Sequence, residues 1–119
     1  MATINQYVNE YRKLDTAADK LNQKARRMNT YIEDDPELDN ENYSLSETYR
    51  QLSGKITNEI RQLESKIRNT TRAIGQKAII GDYIATRQLA DKLVERSKNL
   101  DDFKELDIDL ENLYSNKLR

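Results

Sequence analysis

A chain of 119 residues with 36% hydrophobic and 34% charged residues fits one domain, but it cannot build a thick central core. The sequence has no Cys, His or Trp. This excludes disulfides, thiol nucleophiles, zinc sites built on Cys or His, and Ser-His-Asp or Cys-His catalysis. Three glycines and one proline supply few turns, so we expect an all-α fold of few, long helices.

The distribution of charge along the chain is uneven, although the formal net charge is only −1. Residues 1–32 and 50–98 have an excess of basic side chains, whereas residues 33–49 contain seven acidic residues and no basic one. Residues 99–119 are again acidic in balance. Basic helices are therefore expected to alternate with acidic connecting segments.

Targeting signals are not recognisable in the sequence. The longest apolar runs, such as Ala78-Ile79-Ile80, have three residues, whereas about 20 are needed to cross a bilayer. The N-terminal residues lack the charged start and apolar stretch of a secretory signal. We therefore expect a protein that is not secreted and is cytoplasmic, or lies within a virion if a phage encodes it. No membrane contact is expected.

The first predicted helix spans about residues 4–32. Thr3 and Gln6 form a capping-box pattern at its start. Apolar residues then recur at alternating steps of three and four, which is the heptad pattern of a coiled-coil seam. The part of this seam assigned to helix packing comprises Leu14, Ala18, Leu21 and Ala25.

Residues 33–43 interrupt this periodicity with Pro36 and a cluster of acids and amides, which predicts an acidic loop. The alternate acids from Asp35 onward have the spacing of a calcium loop, but Asn40 stands where Gly is needed and Ser46 where a bidentate Glu is needed. No metal site and no other cofactor are predicted. Ser44 and Glu47 form a second capping-box pattern, so helix two is expected over about residues 45–80.

Helix two contains three consecutive eleven-residue repeats that start at Tyr49: YRQLSGKITNE, IRQLESKIRNT and TRAIGQKAIIG. Eleven residues make about three helical turns, which favours a straight or slightly right-handed helix. The apolar positions of the repeats extend the predicted packing seam through Leu52, Ile56, Ile60, Leu63, Ile67 and Ile74. Arg and Lys recur beside this seam.

Gly81 and Asp82 predict a helix end followed by a new N-cap, and therefore a reversal of the chain. Helix three is expected over about residues 83–98. Asn99 to Asp102 mark an expected break, followed by a C-terminal helical segment over about residues 101–118. The expected fold is one all-α domain, residues 1–119, in which three long helices form an antiparallel bundle or coiled coil. The C-terminal segment either packs on this bundle or remains a separate tail.

Basic side chains form the one candidate binding surface. Its residues are Arg12, Lys13, Lys20, Arg26, Arg27, Arg50, Arg61 and Arg72. Such a surface can neutralise nucleic-acid phosphates. The alternative, which we favour, is that these charges are solvated shoulders of a coiled coil, because the sequence pI of about 5.6 is low for a nucleic-acid-binding domain.

The sequence favours a non-enzymatic structural, assembly or adaptor protein that acts through helical protein–protein interfaces. Its partner is expected to be another protein, a further copy of the chain, or both. The frequent use of Lys, Asn, Ile, Asp and Tyr is typical of AT-rich genomes and suggests a phage virion or assembly component. The alternative is a nucleic-acid-binding accessory protein that uses the basic helix faces. No catalytic residue and no small-molecule substrate are predicted.

Overall fold

A computed structural model describes residues 3–118. Three helices dominate it: α1 (Ile4–Arg27), α2 (Pro36–Ile79) and α3 (Tyr83–Leu113). A short 3-10 turn, Ile32–Asp34, precedes α2, and a π-helix, Tyr114–Leu118, follows α3. The described part of the chain contains no strand, and its helices pack against one another. The predicted all-α fold with three long helices in a bundle is confirmed.

Helix α1 begins as predicted but ends earlier. The side chain of Gln6 accepts a hydrogen bond from the backbone N–H of Thr3 at 2.9 Å, which is the reciprocal half of a capping box. Asn29 adopts a left-handed φ of 52°. The backbone N–H groups of Asn29 and Thr30 donate to Arg26 O at 3.0 Å and Ala25 O at 3.1 Å, which completes a Schellman motif. The predicted extension to about residue 32 is therefore wrong.

The segment 33–43, predicted as an acidic loop, is helical from Pro36 onward. The Asp35 carboxylate acts as the N-cap, because its Oδ1 accepts hydrogen bonds from Glu37 N at 2.9 Å and Leu38 N at 3.1 Å. Pro36 occupies the first helical position, where its missing N–H has no consequence. The acidic residues in the first turn interact favourably with the positive end of the helix dipole. The predicted capping box at Ser44 and Glu47 is also wrong, since both residues lie inside α2.

Helix α3 is continuous through residues 99–102, where a break was predicted. The apolar residues Leu93 and Leu100 are partly buried, and the stripe continues after the expected break through the buried Phe103, Leu106, Leu110 and Leu113. Packing of this stripe outweighs the weak helix preference of Asn and Asp at the expected break. Helix α3 therefore reaches Leu113 rather than about residue 98.

Contacts divide the chain into two compact units. Unit 1 comprises the described residues up to Ile56 and those from Leu106 onward, and unit 2 comprises Thr57–Glu105. Helices α2 and α3 contribute to both units.

Unit 1 is a three-helix bundle. Lys24 of α1 pairs with Glu41 of α2 at 3.4 Å, and Leu14 lines the same groove as Leu52, so α1 and α2 are antiparallel. The rings of Tyr49 and Tyr114 stack with centroids 4.4 Å apart, which places the C-terminal π-helix beside α2. The core of this unit consists of buried apolar residues from all three segments: Tyr7, Leu14, Ala18, Leu21, Ala25, Leu38, Leu52, Ile56, Leu106, Leu110, Leu113 and Leu118.

The C-terminal segment is an integral part of unit 1. Leu118 is 2% exposed. Asn22 Nδ2 donates to Lys117 O at 3.0 Å, and Asn42 Nδ2 donates to Leu118 O at 3.3 Å. The side chains of two helices thus satisfy carbonyl groups at the end of the third, which helix geometry leaves without intrahelical partners. Of the two alternatives for the C-terminal segment, packing on the bundle is therefore correct, and a separate tail is wrong.

Unit 2 is an antiparallel helical hairpin with a thin core. Gly81 adopts a φ of 78° at the turn, and Asp82 caps α3 by accepting a hydrogen bond from Ala85 N at 3.1 Å, so the predicted reversal is confirmed. Within the hairpin Thr70 is buried, donates to Lys66 O at 2.7 Å and accepts a hydrogen bond from Arg96. Most other apolar residues of unit 2 are only partly buried, because two helices cannot enclose a seam on all sides.

Candidate interaction surface

The predicted packing seam divides according to the two units. Its unit 1 members are all buried: Leu14, Ala18, Leu21, Ala25, Leu52 and Ile56. Its unit 2 members are partly buried: Ile60, Leu63, Ile67 and Ile74. The apolar stripe of α2 is thus buried in the three-helix bundle and only partly buried in the hairpin.

The end of the hairpin exposes a cluster of large apolar side chains. Ile79 ends α2, Ile80 lies in the turn, and Tyr83 and Ile84 begin α3; we call these four residues the hairpin tip. They are 87%, 70%, 76% and 76% exposed, respectively. They lie on both sides of the turn at Gly81 and Asp82, and their exposure shows that no described residue covers them.

The turn geometry explains this exposure. Gly81 N donates to Ala78 O at 3.1 Å and Asp82 N to Lys77 O at 3.0 Å, so α2 ends in a Schellman motif and the chain reverses within two residues. Apart from Gly81 and its two neighbours in the chain, no heavy atom of the described residues lies within 4 Å of the position that a Cβ on Gly81 would occupy.

Three charged residues are near the hairpin tip in sequence: Lys77, Asp82 and Arg87. The Asp82 carboxylate is engaged in capping α3. Lys77 and Arg87 are exposed, one on either helix. The end of the hairpin therefore combines an apolar cluster with two basic residues and one acidic residue.

Unit 1 has a concave surface between α1 and α2, which we call the α1–α2 groove. Its floor includes Leu14, Ala17, Leu45 and Leu52, and its volume is about 300 Å³. Glu10, Lys13 and Lys55 also line this groove.

Acidic residues of α2 stand at one end of the α1–α2 groove. Ala17 and Leu45 continue there into a depression of about 430 Å³ that Glu37, Asn40 and Glu41 also line. Glu41 is paired with Lys24 of α1, and Ala17 also lines a depression bordered by Arg12, Lys13 and Lys20. Charges of both signs therefore surround this part of the groove.

The residues of the predicted basic surface belong to both units. Arg12, Lys13 and Lys20 line a single depression on α1 beside Thr16 and Ala17. Arg50 forms an ion pair with Glu47 on its own helix, whereas Arg61 and Arg72 lie on the α2 part of unit 2. All eight predicted residues are exposed: Arg12, Lys13, Lys20, Arg26, Arg27, Arg50, Arg61 and Arg72.

A charged cluster within unit 1 has a structural explanation. Lys117 Nζ lies 2.5 Å from Asp15 Oδ1 and 2.8 Å from Asp19 Oδ1. Hydrogen bonds to these two carboxylates raise the pKa of Lys117 to about 12. Both acids belong to α1 and the lysine belongs to the C-terminal π-helix, so these ion pairs hold the π-helix against α1.

The described residues contain no cluster of acidic side chains arranged to hold a metal ion. Of the acids with calcium-loop spacing, Asp35 is engaged in capping α2, and Glu37, Asp39 and Glu41 lie at alternate positions within that helix. No helix in the described range is both long and apolar enough to span a membrane.

Sequence reasoning missed both the hairpin tip and the α1–α2 groove. The tip had a signal, because two pairs of large apolar residues flank a Gly-Asp turn, where solvated residues are usual. The groove had none, because the α2 residues at one end of it were assigned to a loop.

No protein-family model matches the chain, and neither a curated protein nor a solved structure is significantly similar to it. The functional interpretation therefore depends on the geometry of the two units.

Proposed function

We propose that this chain is a non-enzymatic structural, assembly or adaptor protein that acts through helical protein–protein interfaces. The observation that carries the proposal is the hairpin tip, in which four large apolar side chains are at least 70% exposed. Such residues scattered singly over a surface are ordinary, but a contiguous cluster at the end of an element is typical of an interaction site.

The physical reason is the cost of hydrating these side chains. Covering one large apolar side chain stabilises a complex by roughly 1.5–3 kcal/mol before the entropy cost of association. The hairpin has no third helix with which to cover the tip. A partner that covers it gains this free energy without rearranging the bundle of unit 1.

Comparison of two variants tests this proposal. The tip variant carries Ile80→Asp and Ile84→Asp. The control variant carries Val94→Asp and Ile108→Asp, which change two other exposed apolar residues, 71% and 58% exposed, and add the same charge. Each is produced at its natural level in the cells that make the protein, and the co-purifying proteins are quantified.

We expect one or more proteins that co-purify with the wild type and the control variant to be lost with the tip variant. The same proteins in the same amounts with all three, from a chain that also does not self-associate through the tip, would contradict the proposal.

The second candidate is a nucleic-acid-binding accessory protein. Arg12, Lys13 and Lys20 support it, because these exposed basic side chains line one depression. Electrophoretic retardation of DNA or RNA at low salt that fades steeply with added salt is its expected signature. Absence of retardation at low ionic strength would eliminate it.

We extend the first proposal to a phage virion or assembly component on the basis of the amino-acid usage. Detection of the chain by mass spectrometry in purified particles is the expected result. Its absence from both particles and assembly intermediates would remove this extension alone.

A further inference from the structure

We draw no further inference here: the strongest candidate, the exposed apolar cluster of Ile79, Ile80, Tyr83 and Ile84 at the hairpin tip of unit 2, belongs to the interaction surface already described, and nothing in the structure shows which partner covers it.

Discussion

Replacement of Lys117 by Met should lower the free energy of unfolding of unit 1, because it removes the charge of the side chain but keeps most of its volume. Lys117 Nζ contacts Asp15 Oδ1 at 2.5 Å and Asp19 Oδ1 at 2.8 Å, and the lysine side chain is 31% exposed. Exposed ion pairs contribute about 0.2–1 kcal/mol. Two contacts in a partly buried position should therefore contribute about 1 kcal/mol to the free energy of unfolding, after allowance for solvent screening. For a chain of this size the melting temperature should fall by about 4 °C.

Urea unfolding at neutral pH and low salt measures this loss. Asp15→Asn serves in a double-mutant cycle, because the coupling free energy isolates the Lys117–Asp15 contact from other effects of each change. In about 1 M salt the difference between wild type and Lys117→Met should shrink, since the Debye length is then about 3 Å. Equal stability of the two proteins at low salt, or a difference that salt leaves unchanged, would refute the electrostatic explanation.

The same contact predicts the alkaline behaviour. The pKa of Lys117 is raised from 10.5 to about 12 in the folded protein. A raised pKa means that the folded state binds the proton more tightly, so the contribution is complete below pH 10.5 and is lost as the pH rises through about 12. The stability difference from Lys117→Met should thus be constant up to about pH 10 and decline above it. A difference that grows with pH would have the wrong sign.

Three further changes test the fold. Asp35→Ala should lower the free energy of unfolding by about 1 kcal/mol and speed amide exchange in the first turn of α2, because the N-cap is lost; unchanged exchange would show that Pro36 alone sets the helix start. Gly54→Ala should raise the free energy of unfolding by roughly 0.5–1 kcal/mol. Gly54 is exposed within α2, and apart from its two chain neighbours and the backbone of its own helix no heavy atom lies within 4 Å of the added Cβ. Gly81→Ala should lower the free energy of unfolding, because Gly81 has a φ of 78°. Equal effects of the two glycine changes on the melting temperature would contradict these two expectations. Leu118→Ala should cost about 2–5 kcal/mol, because Leu118 is 2% exposed, and a loss below 1 kcal/mol in urea unfolding would mean that the π-helix adds little to the core.

The elements that sequence periodicity could predict are those whose own side chains specify them. The α1 seam through Leu14, Ala18 and Leu21 recurs at helical spacing, and all three residues are buried. The reversal at Gly81 was also predictable, because a Gly followed by Asp supplies both a helix end and the next N-cap.

The errors arose where one residue has two opposite structural meanings. Pro36 breaks a helix from inside but is well suited to its first position, and only the hydrogen bonds to Asp35 distinguish the two cases. Asn29 gave no clear signal of a helix end, because Asn adopts a positive φ less readily than Gly. The α1–α2 groove depends on how two helices that are distant in sequence pack, which periodicity within one helix does not contain.

The discontinuity of unit 1 has a consequence for the order in which the protein can fold. Residues up to Ile56 leave the ribosome well before those from Leu106 onward, which complete their bundle. The intervening Thr57–Glu105 form a hairpin of local contacts, and such contacts form fastest. Once that hairpin has formed, Leu106 lies near Ile56 again. The entropy cost of closing the loop between these two residues has then already been offset by the contacts of the hairpin. The hairpin would then act as an internal folding template during synthesis, in addition to any role of its tip in the finished protein.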